Sequence, residues 1–463
     1  MLQDFISAFK PTFKDHTELR AQVNTQKAVT LLAGNMVNNT QAATGGVSAR
    51  VYRGGVYGFA SGAEYTPDSV KSVLAAATDN AILMDTQIKK GKAPLPSLSS
   101  FAPAKIGLPK PIFDDIPQSM LMDFTRSLDE FIVKKYKNLS SRTVAANCLY
   151  MEKLLTVSDG TDTHFFQPRS MVYVFMTAET NDGIPIELME ILGGYGRFDD
   201  YFTNPVLLEE KLDKLYQQLM DKREGVHAKA GAQKVVLHPA LAGILAHEAV
   251  GHTVEADLVL GGSVAGYNLN KQVASELVSM VDFAHTYEGK PAALPVYVDD
   301  EGTPAEDVNL IENGILKSFM HNRETARHFD VKPQGNARAF AFSDEPLIRM
   351  RNTAILPGKD KLDDLIASVD DGYYLVKTGN GQADSTGEFM FSVDLGYEIK
   401  GGKLGKAIRE TTISGVAFEM LKTVDMISDD MVWDVGGFCG KKQPMTTGMG
   451  GPALRCNVNM GGK

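Results

Sequence analysis

Cysteine is scarce in this chain. Three among 463 residues are too few for a disulfide framework, which excludes a small stapled fold and points to a reducing compartment. Long apolar runs are lacking as well. No stretch reaches the roughly 18 consecutive apolar residues of a membrane-crossing helix. The first residues, Met1 to Lys10, lack a basic segment followed by an extended apolar core, so no secretory leader is expected. Basic charge is also in deficit: 47 Lys and Arg against 57 Asp and Glu give a net charge of −10 and a pI near 5.5. That balance argues against direct nucleic-acid binding. There is no internal repeat, Walker loop, dinucleotide fingerprint or zinc-finger spacing. A cytoplasmic enzyme with no membrane association is the simplest expectation.

What is present is ordinary globular material, 43% hydrophobic and 22% charged, with 43 glycines that suggest many turns and a large β component. The length exceeds one ordinary core, so two domains are expected in an α+β chain. Residues 1–203 read as an N-terminal α+β domain of β-hairpins and helices. Residues 204–463 read as a mainly antiparallel β domain. In the first part, Val47–Arg53, Gly54-Gly55 and Val56–Ala60 form a hairpin signal. Thr66 to Asp85 reads as a helix capped by Thr66, and residues 94–117, with six prolines, as a long irregular connection. Met120 to Tyr136 has helical periodicity, and a second hairpin runs from Met171 through Asn181-Asp182-Gly183 to Leu188. A charged amphipathic helix, Asn204 to Lys222, marks the boundary. Beyond it come a short strand, Lys234–His238, and helices near Asp360–Val369 and Ile413–Thr423.

The segment after that strand carries His247-Glu248-Ala249-Val250-Gly251-His252. Two imidazoles can hold a divalent ion and a carboxylate can take a proton from water, the requirements of metal-assisted hydrolysis. Histidines spaced i and i+4 lie about 40° apart on an α-helix, but i and i+5 lie about 140° apart. A regular helix therefore cannot aim both rings at one ion. It must widen, kink or end near His252, and Gly251 is expected to tolerate the irregular backbone. The preceding run, Ala242–Ala246, is apolar, so His247 and Glu248 follow a buried stretch and need a partner or a metal. Glu255 is open between orienting a histidine and facing water; Asp257 is expected to face water.

A third ligand must come from elsewhere. Cys148 and Cys456 lie in apolar or strand-like settings and read as structural. Cys439 lies in Gly436-Gly437-Phe438-Cys439-Gly440-Lys441-Lys442, a flexible basic loop in which lysines would favour the metal-binding thiolate. Two histidines and one thiolate leave a fourth position for water, as in catalytic zinc sites. An oxyanion donor is also needed; His321, Arg338 and Arg409 are candidates, each with a surface ion pair as the plainer alternative.

The chain resembles the TldD branch of the TldD/PmbA metallopeptidases, also called modulators of DNA gyrase. The likeness runs from the histidine motif through Asp299-Asp300-Glu301-Gly302-Thr303-Pro304 and Leu310–Lys317. It continues in Arg323-Glu324-Thr325-Ala326-Arg327, Gly335-Asn336-Ala337-Arg338 and Arg349-Met350-Arg351-Asn352-Thr353, and closes with Cys439-Gly440-Lys441 and the loop to Pro452. The resemblance implies zinc held by His247, His252 and Cys439, with Glu248 as general base. It also implies unfolded or flexible peptides as substrates and a dimer, including a heterodimer with a PmbA-type subunit. Gly-Asn-Ala-Arg in place of Gly-Asn-Gly-Arg, and the missing glycine-glutamine step after Cys439, bear on substrate preference.

Two other classes fit parts of the pattern. A dipeptidyl-peptidase III-like hydrolase has the same histidine spacing but takes a downstream glutamate as third ligand. A non-catalytic regulator of gyrase or of a toxin–antitoxin pair would hold zinc in a closed four-ligand clip.

Overall fold

The computed structural model describes residues 2–87 and 116–462. The proline-rich stretch 94–117 lies outside the described residues except for its last two.

The first half is organised by one long antiparallel sheet. Its strands are β1 (His16–Leu32), β2 (Asn35–Arg53), β3 (Val56–Gly62), β4 (Ser141–Val157), β5 (Asp162–Glu179) and β6 (Pro185–Tyr195), in the order β3-β2-β1-β4-β5-β6. Both sequence-read hairpins are present, β2–β3 and β5–β6. The first turns at Gly54 and Gly55, with φ of +59° and +96°, angles that glycine adopts without steric cost. The sheet is covered by α1 (Leu2–Ser7), α2 (Pro67–Thr86) and α3 (Gln118–Lys135). Thr66 caps α2 by accepting the Ser69 N–H, as its sequence position suggests. The short α4 (Phe198–Tyr201) precedes α5 (Glu209–Arg223). The buried face of α5, Leu212, Leu215 and Leu219, packs in one core cluster with Leu188 and Leu192 of β6 and with Leu395 and Ile399 from the second half.

The second half opens with β7 (Gly231–Leu237), followed by α6 (Pro239–Leu245). β7 lies between Asp371–Ala383, its parallel neighbour, and the antiparallel strand Leu454–Met460 in a seven-stranded sheet. A second, six-stranded sheet includes Met280–Phe283, Asn352–Ile355, Gly448–Gly451 and the edge strand Val432–Asp434. Nearly all pairings are antiparallel, so the α+β class and the mainly β second half hold. One boundary differs: Thr411–Val416 is a strand, and the helix begins only at Ala417. The β-branched run turns Ile413 into the core between more exposed neighbours, the period of a strand rather than a helix.

The halves meet through buried ion pairs. Arg50 on β2 joins Glu18 on β1 at 2.9 Å and also pairs with Glu301. Lys153 on β4 reaches Asp300 at 2.8 Å, and Arg323 reaches Asp159 at 2.8 Å. The Asp299-Asp300-Glu301 run is thus a structural joint: Asp299 itself accepts backbone N–H groups of Glu301, Thr303 and Ala337. No helix among the described residues is long and apolar enough to cross a membrane.

Candidate metal centre

His238 ends β7 and caps α6, its Nδ1 accepting the Ala240 N–H at 3.2 Å, with Pro239 at the first helical position. Leu241, Ala242 and Leu245 bury the helix in the core. The helix then widens into a π turn, Ala246–Gly251, and tightens into a 3-10 turn, His252–Val254. The His252 N–H donates to the His247 carbonyl. This i→i+5 bond brings the second histidine round over the first, which a regular helix would not do. The two rings stand edge to face with centroids 5.2 Å apart.

The reason for Gly251 differs from the expectation. Its backbone is ordinary, with φ −53° and ψ −47°, so conformational freedom is not what the site needs there. Space is: a Cβ at Gly251 would sit 2.0 Å from the Met350 Sδ.

Cys439 enters from the edge of the six-stranded sheet. It lies in the strand Phe438–Cys439, paired with Met445–Thr446. Its Sγ is 3.2 Å from the His252 Nε2. The ligand atoms of His247, His252 and Cys439 all lie within 4.8 Å of one another, and among the described residues no fourth His, Cys, Asp or Glu joins the group. The Glu248 carboxylate is 3.9 Å from the His247 Nε2 and 3.8 Å from the His252 Nε2. Its side chain is 26% exposed against 19% for His252 and 1% for His247, which makes it the most accessible of the three.

The environment of Cys439 corrects the sequence reading. The residue is buried, not set in an open basic loop. Burial opposes its ionisation, but the imidazoles of His247 and His252 prevail and hold the thiol down to about 3. Lys441 serves another purpose. Its Nζ lies 3.2 Å from Glu255 and 2.7 Å from Asp257, so half-exposed Asp257 is paired rather than simply solvated. Glu255 is fully buried, and its Oε2 is 2.9 Å from the His252 Nδ1. Burial opposes charge on this ring, but Cys439 and Glu255 outweigh it and raise the His252 pKa to about 10, so Nε2–H faces the thiolate; a metal would take that proton's place at Nε2 while Glu255 keeps the proton on Nδ1.

Two imidazoles and a thiolate suit zinc. Bond lengths of about 2.0 Å to nitrogen and 2.3 Å to sulfur put N and S roughly 3.5 Å apart in a tetrahedral site, close to the 3.2 Å between His252 and Cys439. Among the described residues the buried Nδ1 of His247 has no hydrogen-bond partner, and its other nitrogen, Nε2, is the one 3.9 Å from Glu248.

Arg349 was not singled out from sequence as a site residue. Fully buried, it donates through Nη2 to the Cys439 carbonyl at 2.6 Å and through Nη1 to the carbonyls of Lys441 and Gln443 at 2.8 Å each. It clamps the loop that delivers the thiol. Nothing local in Leu347–Met350 announces this, because its partners lie about ninety residues away.

The three oxyanion candidates separate. His321 follows Met320, whose backbone pairs with Glu255 and bonds Val254 and Ala256, directly beside the motif. It is buried, contacts Thr325 at 3.2 Å, and burial lowers its pKa to about 4, keeping the ring neutral. Arg338 is buried and donates to the Met350 carbonyl at 2.7 Å. Arg409 contacts the Arg223 carbonyl at the end of α5, in a region that contributes none of the triad. Among the described residues none of the three makes the surface ion pair that was the plainer alternative.

Comparison with known proteins gives a consistent picture. Residues 230–462 match the profile described as the PmbA/TldA metallopeptidase C-terminal domain, and residues 17–81 match domain 1 of the same family. A zinc metalloprotease TldD homolog of Saccharolobus solfataricus is 36% identical over 62% of the chain and 63% of its own length. A Buchnera aphidicola metalloprotease TldD homolog is 42% identical over 51% of the chain. The chain spans 49% of that relative's length, so it covers only about half to two-thirds of these relatives. A metalloprotease of Methanocaldococcus jannaschii is 30% identical over 95% of the chain and 96% of its own length. Among solved structures, TldE of Thermococcus kodakarensis superposes with a TM-score of 0.80 at 18% identity, covering both chains fully. At that identity the likeness speaks for the fold alone.

Proposed function

The chain belongs to the PmbA/TldD family of metallopeptidases, and from that premise we propose that it is a zinc-dependent peptidase of the TldD branch acting on flexible or unfolded peptides. The observation that carries this is the convergence of His247, His252 and Cys439 within 4.8 Å, with a partly exposed Glu248 beside both imidazoles. The name of the Saccharolobus relative, a zinc metalloprotease, supports the choice of metal. A donor set of three supports catalysis over a closed structural clip. The third donor is a thiol, and the glutamate downstream, Glu255, is turned to the His252 Nδ1. That favours the TldD type over the dipeptidyl-peptidase III type.

Zinc, when bound, supplies Lewis acidity to a peptide carbonyl and to a water molecule. The chain's own groups do the rest. Glu248 takes the proton of the attacking water and passes it to the leaving amine. Glu255 holds the His252 ring in its ligating tautomer, and Arg349 holds Cys439 in reach. His321, neutral and next to the motif, is the preferred donor for the oxyanion. The edge strand Val432–Asp434 and the two-stranded Cys439 hairpin suit an extended peptide recognised through its backbone.

The same proposal includes a division near residues 203 and 204 and a cytoplasmic setting that keeps Cys439 reduced, in keeping with three free cysteines. It also includes assembly as a dimer, with a heterodimer with a PmbA-type subunit as one form. The test is hydrolysis of an unstructured peptide by zinc-loaded parent and Glu248→Gln. Loss of roughly 10²- to 10⁴-fold in kcat with zinc retained supports the assignment. Full activity in Glu248→Gln would falsify it.

A further inference from the structure

Outside the triad, a cavity of about 360 Å³ lies against the long sheet, between strands β1, β2, β4 and β5 and the residue next to Cys439, Phe438. Its lining contains two basic residues, Lys27 and Arg169, and no Asp or Glu, in a chain whose net charge is −10. The remaining polar lining, including Asn147, Thr40 and Tyr173, is hydrogen-bonding and uncharged.

Arg169 is the distinctive group. It is buried, and among the described residues no carboxylate lies within 4.0 Å of it. Its Nε and Nη2 both donate to the Val435 carbonyl, at 3.2 and 2.5 Å, and its guanidinium lies 4.7 Å from the centre of the Phe438 ring. The nearest acidic influence is Asp434, whose Oδ1 is turned to the Gly436 N–H. Burial lowers the Arg169 pKa, and the Tyr173 hydroxyl partly offsets this. Burying a guanidinium without a carboxylate is costly. A cavity beside it gives an incoming anion the place that a protein carboxylate usually takes.

We propose that this cavity is a subsite for a carboxylate of the peptide substrate, with Arg169 and Tyr173 as its specificity-determining donors. The inference rests on the peptidase reading above. Phe438 and Cys439 are consecutive, with Cα atoms about 3.8 Å apart, and their side chains point to opposite faces of the strand. A peptide lying across the hairpin edge would therefore meet the triad on one side and the cavity on the other, a few residues from the scissile bond. The carboxylate is either an acidic side chain or the substrate's C-terminus.

The test measures binding to zinc-loaded Glu248→Gln protein, so that hydrolysis does not enter. The probes are short alanine-based peptides carrying one Glu or one Gln, each with a free or an amidated C-terminus. The proposal expects the carboxylate form to bind roughly tenfold or more tighter. A Glu-over-Gln preference assigns the side chain, and a free-over-amidated preference assigns the terminus. In Arg169→Met the preference falls to near unity, and Arg169→Lys restores part of it. Because Arg169 also holds Val435, zinc content is measured in each variant. If Arg169→Met loses zinc, Tyr173→Phe decides: a reduced preference supports the subsite, and an unchanged one overturns it. Equal binding of all four peptides by the starting protein also overturns it. A parent enzyme that cleaves peptides with preference for neither an acidic side chain nor a free C-terminus refutes only this subsite, whereas one that binds them selectively and cleaves none refutes the peptidase reading.

Discussion

The Oε2 of Glu255 lies 2.9 Å from the Nδ1 of His252 and 3.2 Å from the Nζ of Lys441. A buried carboxylate between an imidazole and an ammonium sets the direction of the ring. Glu255→Gln keeps the volume but loses the charge that raises ligand basicity. It is expected to weaken zinc binding about 10- to 100-fold with little change in melting temperature of the zinc-free protein. Competition with a chromogenic chelator reads this. Unchanged affinity would mean that Glu255 only fills space.

Gly251→Ala places a methyl group against Met350, where the Cβ would fall 2.0 Å from Sδ. Overpacking of this kind costs about 1–3 kcal/mol, and here it also pushes the π turn apart. A lower urea midpoint and reduced zinc content are expected, both partly restored by adding Met350→Ala. A double variant no better than Gly251→Ala alone would show that the glycine matters for another reason.

Arg349→Met leaves three loop carbonyls without their donor. At about 1–3 kcal/mol for each buried polar group left unpaired, a loss of several kcal/mol is expected. The loop should loosen before the whole fold does. Faster reaction of Cys439 with a thiol reagent in the zinc-free variant, below its melting temperature, is the signature. A rate equal to that of the parent contradicts the clamp.

The joint between the halves should register in acid. Burial opposes ionisation of Glu18, but Arg50 and His16 outweigh it and lower its pKa from 4.5 to about 2. A carboxyl depressed in the folded state contributes stability above its unfolded pKa and loses it as pH falls through the folded value. The contribution therefore fades between about pH 4.5 and 2. Glu18→Gln should be less stable near neutrality and should show a shallower decline of stability across that window. Urea titrations at a series of pH values check both; a parallel decline would exclude Glu18 from the acid response.

Much of this was legible in the chain. The i and i+5 histidines alone required a non-α turn, and a π turn is present at Ala246–Gly251. Alternation in β2–β3 and β5–β6 marked both hairpins because local turn chemistry specifies them. Long-range contacts were not legible. Arg349 clamps a loop some ninety residues away, and Cys439 is ionised by imidazoles from another element rather than by its neighbouring lysines. Ile413 read as helical because four or five apolar positions fit either period until the strand's pairing with Glu388–Lys400 is known. Gly251 was read as tolerating an irregular backbone, but its backbone is ordinary, and the contact that excludes a larger residue, a methionine sulfur from residue 350, lies beyond any sequence window.

Everything proposed for this chain depends on His247, His252 and Cys439 together holding one metal ion. The most direct test is zinc stoichiometry of the purified protein beside His252→Ala and Cys439→Ala. About one zinc per chain is expected in the parent, lost in both variants while their folded signal persists. Zinc that survives either substitution, or a parent that binds none in zinc-replete buffer, would contradict it.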